Sequence, residues 1–290
     1  MRTGRLLAAV AAAAMLSLTG CSSSDDDDND TDAAASGESS ESSGGAEGTI
    51  RIGIKFDQPG LGFKDGNDYT GFDVDVAKYV AGSLGYGEDQ IEFVQSPSAQ
   101  RENLLSTGQV DMIFATYSIT DKRKEVVGFA GPYFVAGQDL LVAADDDSIS
   151  GPEDLEGKNL CSVTGSTSAQ RIKDEYANGT NLLEQPGYAE CVTALTAGTV
   201  DAVTTDDIIL AGLAAVPANK GKVKVVGNPF SEENYGVGIP KGSDQCEAIN
   251  TAITTMIDDG TWEKLLAANV GASGYTANAD LNPPTPAACS

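Results

Sequence analysis

The sequence has no histidine, one tryptophan, four methionines, and only 18 Lys and Arg against 43 Asp and Glu, a net charge of −25 over 290 residues. Without histidine there is no Ser-His-Asp or Cys-His catalysis, no histidine-ligated zinc or haem, and no histidine pH switch. The shortage of basic residues argues against a nucleic-acid partner, because phosphates would go unneutralised. There is no CxxC pair and no base for thiol catalysis. The run Asp25–Asp28 lacks the glycine and glutamate of an EF-hand loop, so no metal and no cofactor are expected. What remains is a chain long enough for about two domains at ~150 residues each, with two sizeable cores.

The ends are not part of that fold. Arg2 and Arg5 precede an apolar stretch, Leu6–Leu18, broken only by Ser17. It is too short for the ~20 residues of a membrane-spanning helix and suits a signal-peptide core. Leu18-Thr19-Gly20-Cys21 closes it and resembles a bacterial lipobox, in which Cys21 would carry lipid and become the mature N-terminus. Two acyl chains give stable anchoring where one does not. Residues 22–48 hold no apolar side chain larger than alanine and nine acidic residues, which predicts a disordered tether. The segments are therefore a signal at 1–20, a lipidated cysteine and acidic tether at 21–48, and a folded part at 49–290 that keeps 16 basic and 34 acidic residues, a net −18.

Four cysteines remain: Cys161, Cys191, Cys246 and Cys289. In an exported protein an even number predicts disulfides. Sequence alone allows three pairings. Joining 161 to 191 and 246 to 289 keeps each bridge within one region, and the second would pin the Pro-rich tail.

Along the folded part, Thr49–Lys55 alternates as a strand, and apolar residues at 72, 76, 79, 80 and 84 mark a helix face. Strands are predicted at 91–94, 110–115, 139–143, 159–163, 182–184, 200–204, 223–226 and 235–239. Helices alternate with them, at 98–107 with Ser98 as cap, and at 120–124 with Thr120 as cap. Others fall at 169–176, 189–197, 208–215, 244–259 and 261–268. The alternation predicts an α/β fold with largely parallel sheets. It restarts after Asp145-Asp146-Asp147, which divides it into two lobes.

Three segments carry polar groups where α/β sheets bind ligands, beyond strand carboxyl ends. Thr116 and Ser118 follow a buried strand, with Arg123 one turn later. Ser166 and Thr167 form a hydroxyl turn at a helix start, where free amides favour an anion. Asp206 and Asp207 end a strand. Together with Gly71-Phe72-Asp73-Val74-Asp75 and Asp259-Gly260-Thr261-Trp262, these residues resemble solute-binding protein family 3, the polar amino acid-binding proteins of bacterial ABC importers, over about 49–268 and in family order. Among them the chain looks most similar to actinobacterial glutamate-binding lipoproteins.

The resemblance implies a two-lobed clamshell of the type II periplasmic-binding-protein class, with lobe 1 at 49–139 plus 235–290 and lobe 2 at 140–234. Two strands would cross the hinge, near 139–143 and 235–239. It implies that Arg123 grips an α-carboxylate flanked by Thr116, Ser118, Ser166 and Thr167, and that Asp206 takes the α-ammonium. At the end of the first strand, cationic-amino-acid binders of the family carry an Asp; here it is Lys55, with Arg101 nearby. Acidic-amino-acid binders are basic at both positions. Lys55 and Arg101, expected on the cleft rim, would then hold a side-chain carboxylate. Many relatives also cover the ligand with an aromatic ring just after the first strand, where Phe56 or Phe63 stands here. The expected protein is a monomeric, non-enzymatic binder of L-glutamate, or of aspartate, glutamine or a broader polar set. It would be held on the outer face of the membrane by lipid alone and deliver ligand to a permease with a cytoplasmic ATPase. A dehydratase on the same fold and a sensor domain are the competing classes.

Overall fold

The computed structural model describes residue 46, residues 48–176 and residues 179–289. The signal segment, Cys21 and nearly all of the acidic tether lie outside the described residues. Among the described residues, no helix is long and apolar enough to cross a membrane.

Strand β1 (Ile50–Ile54) buries Ile50, Ile52 and Ile54, as its alternation predicts. A small antiparallel sheet follows, made of β2 (Asp57–Gln58), β3 (Gly62–Asp65) and β4 (Asp68–Thr70). Helix α1 (Phe72–Ser83) turns Phe72, Val76 and Val80 inward, and with them Asp73. Then come β5 (Ile91–Gln95), α2 (Arg101–Ser106), β6 (Met112–Phe114), the single turn α3 (Asp121–Lys124) and β7 (Val127–Ala136). After Gly137 alone the chain enters β8 (Gln138–Ala143) and continues through β9 (Asn159–Val163), α4 (Thr167–Glu175), β10 (Asn181–Gln185), α5 (Tyr188–Thr196), β11 (Ala202–Asp206), α6 (Asp207–Ala215) and β12 (Val223–Val225). It returns as β13 (Glu233–Pro240) and ends in α7 (Cys246–Asp258), α8 (Thr261–Val270) and a tail.

Two five-stranded sheets result, ordered β5-β1-β6-β13-β7 and β10-β9-β11-β8-β12, one in each lobe. Three neighbours in each are parallel: β5, β1 and β6 in the first, β10, β9 and β11 in the second. The expectation of largely parallel sheets is corrected at the crossings, where β13 runs antiparallel to β6 and β7, and β8 antiparallel to β11 and β12. A parallel neighbour needs a crossover, usually a helix. Strands β8 and β13 arrive straight from the other sheet without one.

Strand β7 is absent from the sequence reading because Gly128, Gly131 and Pro132 interrupt its pattern. Proline is tolerated there because β7 is an edge strand. The C-terminal tail covers that edge. Asn282 accepts from Val135 N–H at 2.9 Å and donates to Val135 C=O at 2.8 Å, and Ala287 N–H donates to Gly131 C=O at 2.8 Å. Tyr133, Phe134 and Trp262 pack with Phe72 in the core of the first lobe, where Trp262 Nε1 donates to Tyr133 C=O.

Ser98 does not cap α2. The helix starts three residues later, and Gln100 N–H is already spent on Pro97 C=O in a turn that places Ser98 outside it. Thr120 does cap α3, accepting from Arg123 N–H.

The structure joins Cys161 to Cys191, tying β9 to α5, and Cys246 to Cys289, tying α7 to the tail. The second closes a loop with a sequence separation of 43. Replacing both of its cysteines by serine is expected to lower the unfolding free energy by about 2–4 kcal/mol, measured by urea denaturation. An unchanged curve would mean that the bonds of Asn282 to Val135 and of Asn250 Nδ2 to Ala287 C=O, at 2.8 Å, alone hold the tail.

Candidate ligand-binding site

The segments that follow β1 and β6 in the first lobe meet segments of the second lobe, through Lys55 with Tyr188, Arg123 with Gly165 and Ser118 with Thr167, so the sequence-predicted polar residues come from both lobes. Thr116 follows β6 with φ of +46°, a left-handed backbone that costs a threonine about 1–3 kcal/mol. Neighbours hold it there. Its N–H donates to Asp73 Oδ2 at 2.9 Å, and its hydroxyl reaches Gln58 Oε1 at 3.2 Å. Asp73 also accepts from Tyr133 Oη at 2.8 Å. Burial pushes its carboxyl up to about 6, while those two donors pull the other way.

Next to Thr116, the Tyr117 ring contacts two guanidinium groups, with Arg101 Cζ 4.2 Å and Arg123 Cζ 4.9 Å from its centroid. Arg123 Nη1 donates to Ser118 C=O at 2.7 Å, Nη2 to Gly165 C=O of the second lobe at 3.1 Å, and Nε meets Glu102 at 3.2 Å. A guanidinium has five N–H donors, so one N–H on each Nη remains for a carboxylate, which a guanidinium can hold with two bonds. Ser118 Oγ lies 3.3 Å from Thr167 Oγ1, a further contact between lobes. Ser166 caps α4, its Oγ accepting from Ala169 N–H at 2.9 Å.

Lys55 and Arg101 are not on a rim. Each is only 2% exposed. Arg101 Nη1 donates to Ala115 C=O at 2.9 Å, and its Nε is buried without a partner among the described residues. Burial, with Arg123 adding to it, lowers Arg101 to about 10. Lys55 is lowered to about 8 by burial, which Asp57 and Asp73 oppose and Arg101 reinforces. Its Nζ sits 5.8 Å from the Tyr188 ring centroid. Phe56 instead packs on Tyr69 with Lys64 over its ring, and Phe63 pairs in β3, so Tyr117 and Tyr188 are the rings beside the buried cations.

Asp206 ends β11 at the N-cap position of α6 but spends no oxygen on capping. Its Oδ2 accepts from Tyr235 Oη at 2.5 Å and its Oδ1 from Ser168 Oγ at 3.4 Å. Burial and Glu233 raise it to about 8, against the Tyr235 hydroxyl. The neighbouring Asp207 is engaged elsewhere, accepting from Gly137 N–H, Ile208 N–H and Tyr275 Oη. Two cavities open at the cleft. One, of about 620 Å³, is lined by Glu102, Arg123, Ser166 and Thr167. The other, of about 410 Å³, is lined by Lys55, Asp57, Gln185 and Glu190.

Sequence reasoning missed Gln58, Tyr188 and Tyr235, and passed over Asp73 as a site residue. For Asp73 a signal existed: a carboxylate between Phe72 and Val74 at the head of a buried helix face needs a partner. Gln58 Nε2 and Thr205 Oγ1 join Arg101 Nε as buried polar atoms without a partner among the described residues. Unsatisfied groups of this kind cost about 1–3 kcal/mol each, and a polar ligand recovers it.

Paired α/β lobes with opposed charges between them define a binder of small polar molecules. The chain belongs to the bacterial extracellular solute-binding proteins, family 3, whose model matches residues 50–272. It is 47% identical over 236 residues to the glutamate-binding protein GluB of Corynebacterium glutamicum, covering 77% of this chain and 79% of that one. It is 38% identical over 220 residues to the ABC transporter glutamine-binding protein GlnH of Bacillus subtilis, covering 74% and 79%. Among solved structures, an ancestral arginine-binding protein bound to glutamine superposes with a TM-score of 0.71 at 38% identity, over 78% of this chain and 99% of that one.

Proposed function

We propose that the chain is a lipid-anchored, extracytoplasmic binding component of an ABC importer that takes L-glutamate between lobe 1 (49–139 plus 235–290) and lobe 2 (140–234). The two free Arg123 donors, with Thr116, Ser118, Ser166 and Thr167 around them, hold the α-carboxylate, and Asp206 holds the α-ammonium. Every amino acid carries these groups, so they select the class. Lys55 and Arg101 select the side chain. The observation that carries this reading is the burial of both cations, each depressed by its desolvation and one by the other, in a fold of net −18. A side-chain carboxylate relieves that. The 47% identity to a glutamate-binding protein supports it. The protein does no chemistry: it captures, closes and hands over to a permease driven by a cytoplasmic ATPase. Cys21 carries the lipid, to be read as added mass on membrane-extracted protein.

The second reading, glutamine, aspartate or a broader polar set, is favoured by Gln58, whose unpartnered amide offers a neutral donor. Isothermal titration with glutamate, aspartate, glutamine and asparagine decides. Charge-assisted hydrogen bonds contribute roughly 1.5–3 kcal/mol each, so a handful suffices for micromolar affinity, about −8 kcal/mol. On that scale, Lys55→Ala and Arg101→Ala are each expected to weaken glutamate by about 10- to 100-fold and glutamine by about threefold or less. Equal losses for both ligands would remove these residues from side-chain recognition, and no heat with any of the four would remove the assignment.

A further inference from the structure

Asp57 lies in β2, two residues past Lys55, and its carboxylate reaches the second lobe. Its Oδ2 accepts the N–H of Tyr188 at 3.1 Å, the first residue of α5 in the second lobe. The first N–H groups of a helix have no partner within it, and a side chain just before the helix normally supplies one. Here that position is Gly187, which has nothing to offer. A Cβ on Gly187 would stand 2.6 Å from Asp57 Oδ2 and 2.7 Å from Glu190 Oε2, so a side chain there would displace these carboxylates. The cap of α5 thus comes from the other lobe.

The contact is local but well supported. Just beyond Asp57, Pro59 C=O presses on α6, where a Cβ on Gly212 would stand 2.1 Å from it. Helix α5 is itself fastened by Cys161–Cys191 to β9, the strand that leads into Ser166 and Thr167. Tyr188, held at its backbone by Asp57, is the ring that faces Lys55. An acidic side chain also suits the positive end of the α5 dipole.

We infer that Asp57 is a positioning residue that latches the cleft shut by capping α5 across the lobes, and so sets how long a bound ligand stays. This rests on the proposed binding of an amino acid between the lobes. The latch favours the closed form with or without ligand, and because ligand enters through the open form it acts on departure more than on arrival. Asp57→Ala is therefore expected to raise koff for glutamine by about 5- to 20-fold, and for glutamate by at least as much because Asp57 also favours the charged form of Lys55, with kon within twofold. Asp57→Asn keeps an acceptor and loses the charge, so its rise is smaller. Gly187→Ala crowds the Asp57 carboxylate, and its effect on koff shrinks in the Asp57→Ala background, as coupled neighbours do.

Stopped-flow kinetics with both ligands tests this, together with fluorescence energy transfer between one dye in each lobe of the ligand-free protein. The latch predicts a shift of Asp57→Ala toward longer interlobe distances. A koff rise confined to glutamate would overturn the latch, because Asp57 would then act through the charge of Lys55. Unchanged koff and unchanged energy transfer would overturn it as well. If the wild-type protein binds no amino acid, the binding proposal fails, and the energy-transfer comparison still decides the latch.

Discussion

Arg123→Ala is expected to lower the affinity for every amino acid ligand by more than about 100-fold, glutamate and glutamine alike, as read by isothermal titration. The reason is a count of donors. Ser118 C=O and Gly165 C=O take one N–H on each Nη of Arg123 while Nε faces Glu102, which leaves a second N–H on each Nη for a carboxylate. A lysine has the charge and not the fork, so Arg123→Lys should recover only a small part of the loss. The fold survives the change. Glu102 is about one-third exposed, and an ion pair of that kind contributes about 0–1 kcal/mol, with a comparable loss from the Tyr117 face. That is small against the 5–15 kcal/mol that holds a domain together. Affinity within tenfold of wild type in Arg123→Ala would take this residue out of the site. Loss for glutamate with glutamine spared would make it a side-chain reader instead.

What could be read from the sequence was whatever depends on neighbours along the chain. The Thr120 cap and Arg123 one turn later lie within four residues, and both are where the hydroxyl spacing puts them. β9 shows its ends, Asn159 and Val163, through apolar content bounded by turn residues. The same local reading fails where a local signal is absent or cancelled. Gly131 and Pro132 hide ten residues of β7, which is a strand only because β13 on one side and Asn282 on the other pair with it. The three short strands after β1 exist through pairing with one another. The site divides in the same way. Lys55, Arg101 and Asp206 stand out as charges at strand and helix ends, yet their burial depends on a second lobe, so a rim position was the natural expectation. Tyr235, Tyr188 and Gln58 have no local pattern, and only the approach of distant segments makes them partners of Asp206, Lys55 and Thr116.

Asp206→Asn is expected to weaken amino acid binding by about 30- to 100-fold and to remove a proton that the wild-type protein releases on binding. Burial and the nearby Glu233 raise Asp206 to about 8, against the hydroxyl of Tyr235. At pH 7 such a group is mostly protonated. An α-ammonium beside it favours the ionised form, so its pKa falls on binding and a proton leaves. Titrations at pH 7 in buffers of different ionisation enthalpy measure this directly. Lys55 works in the opposite direction. Its pKa is lowered to about 8 in the free protein, and a bound carboxylate raises it, so at pH 9 binding draws a proton in. Glutamate affinity should thus rise toward pH 8 as Asp206 becomes ionised without the ligand's help, and fall above it as Lys55 loses its charge. Asp206→Asn leaves uptake at pH 9 and no release at pH 7; Lys55→Ala leaves release and no uptake. Asparagine fits the same space and still accepts from the Tyr235 hydroxyl, so the loss reports the missing charge and not a collapsed site. A wild-type protein that binds glutamate with no proton release at pH 7 would mean that the ammonium sits away from Asp206.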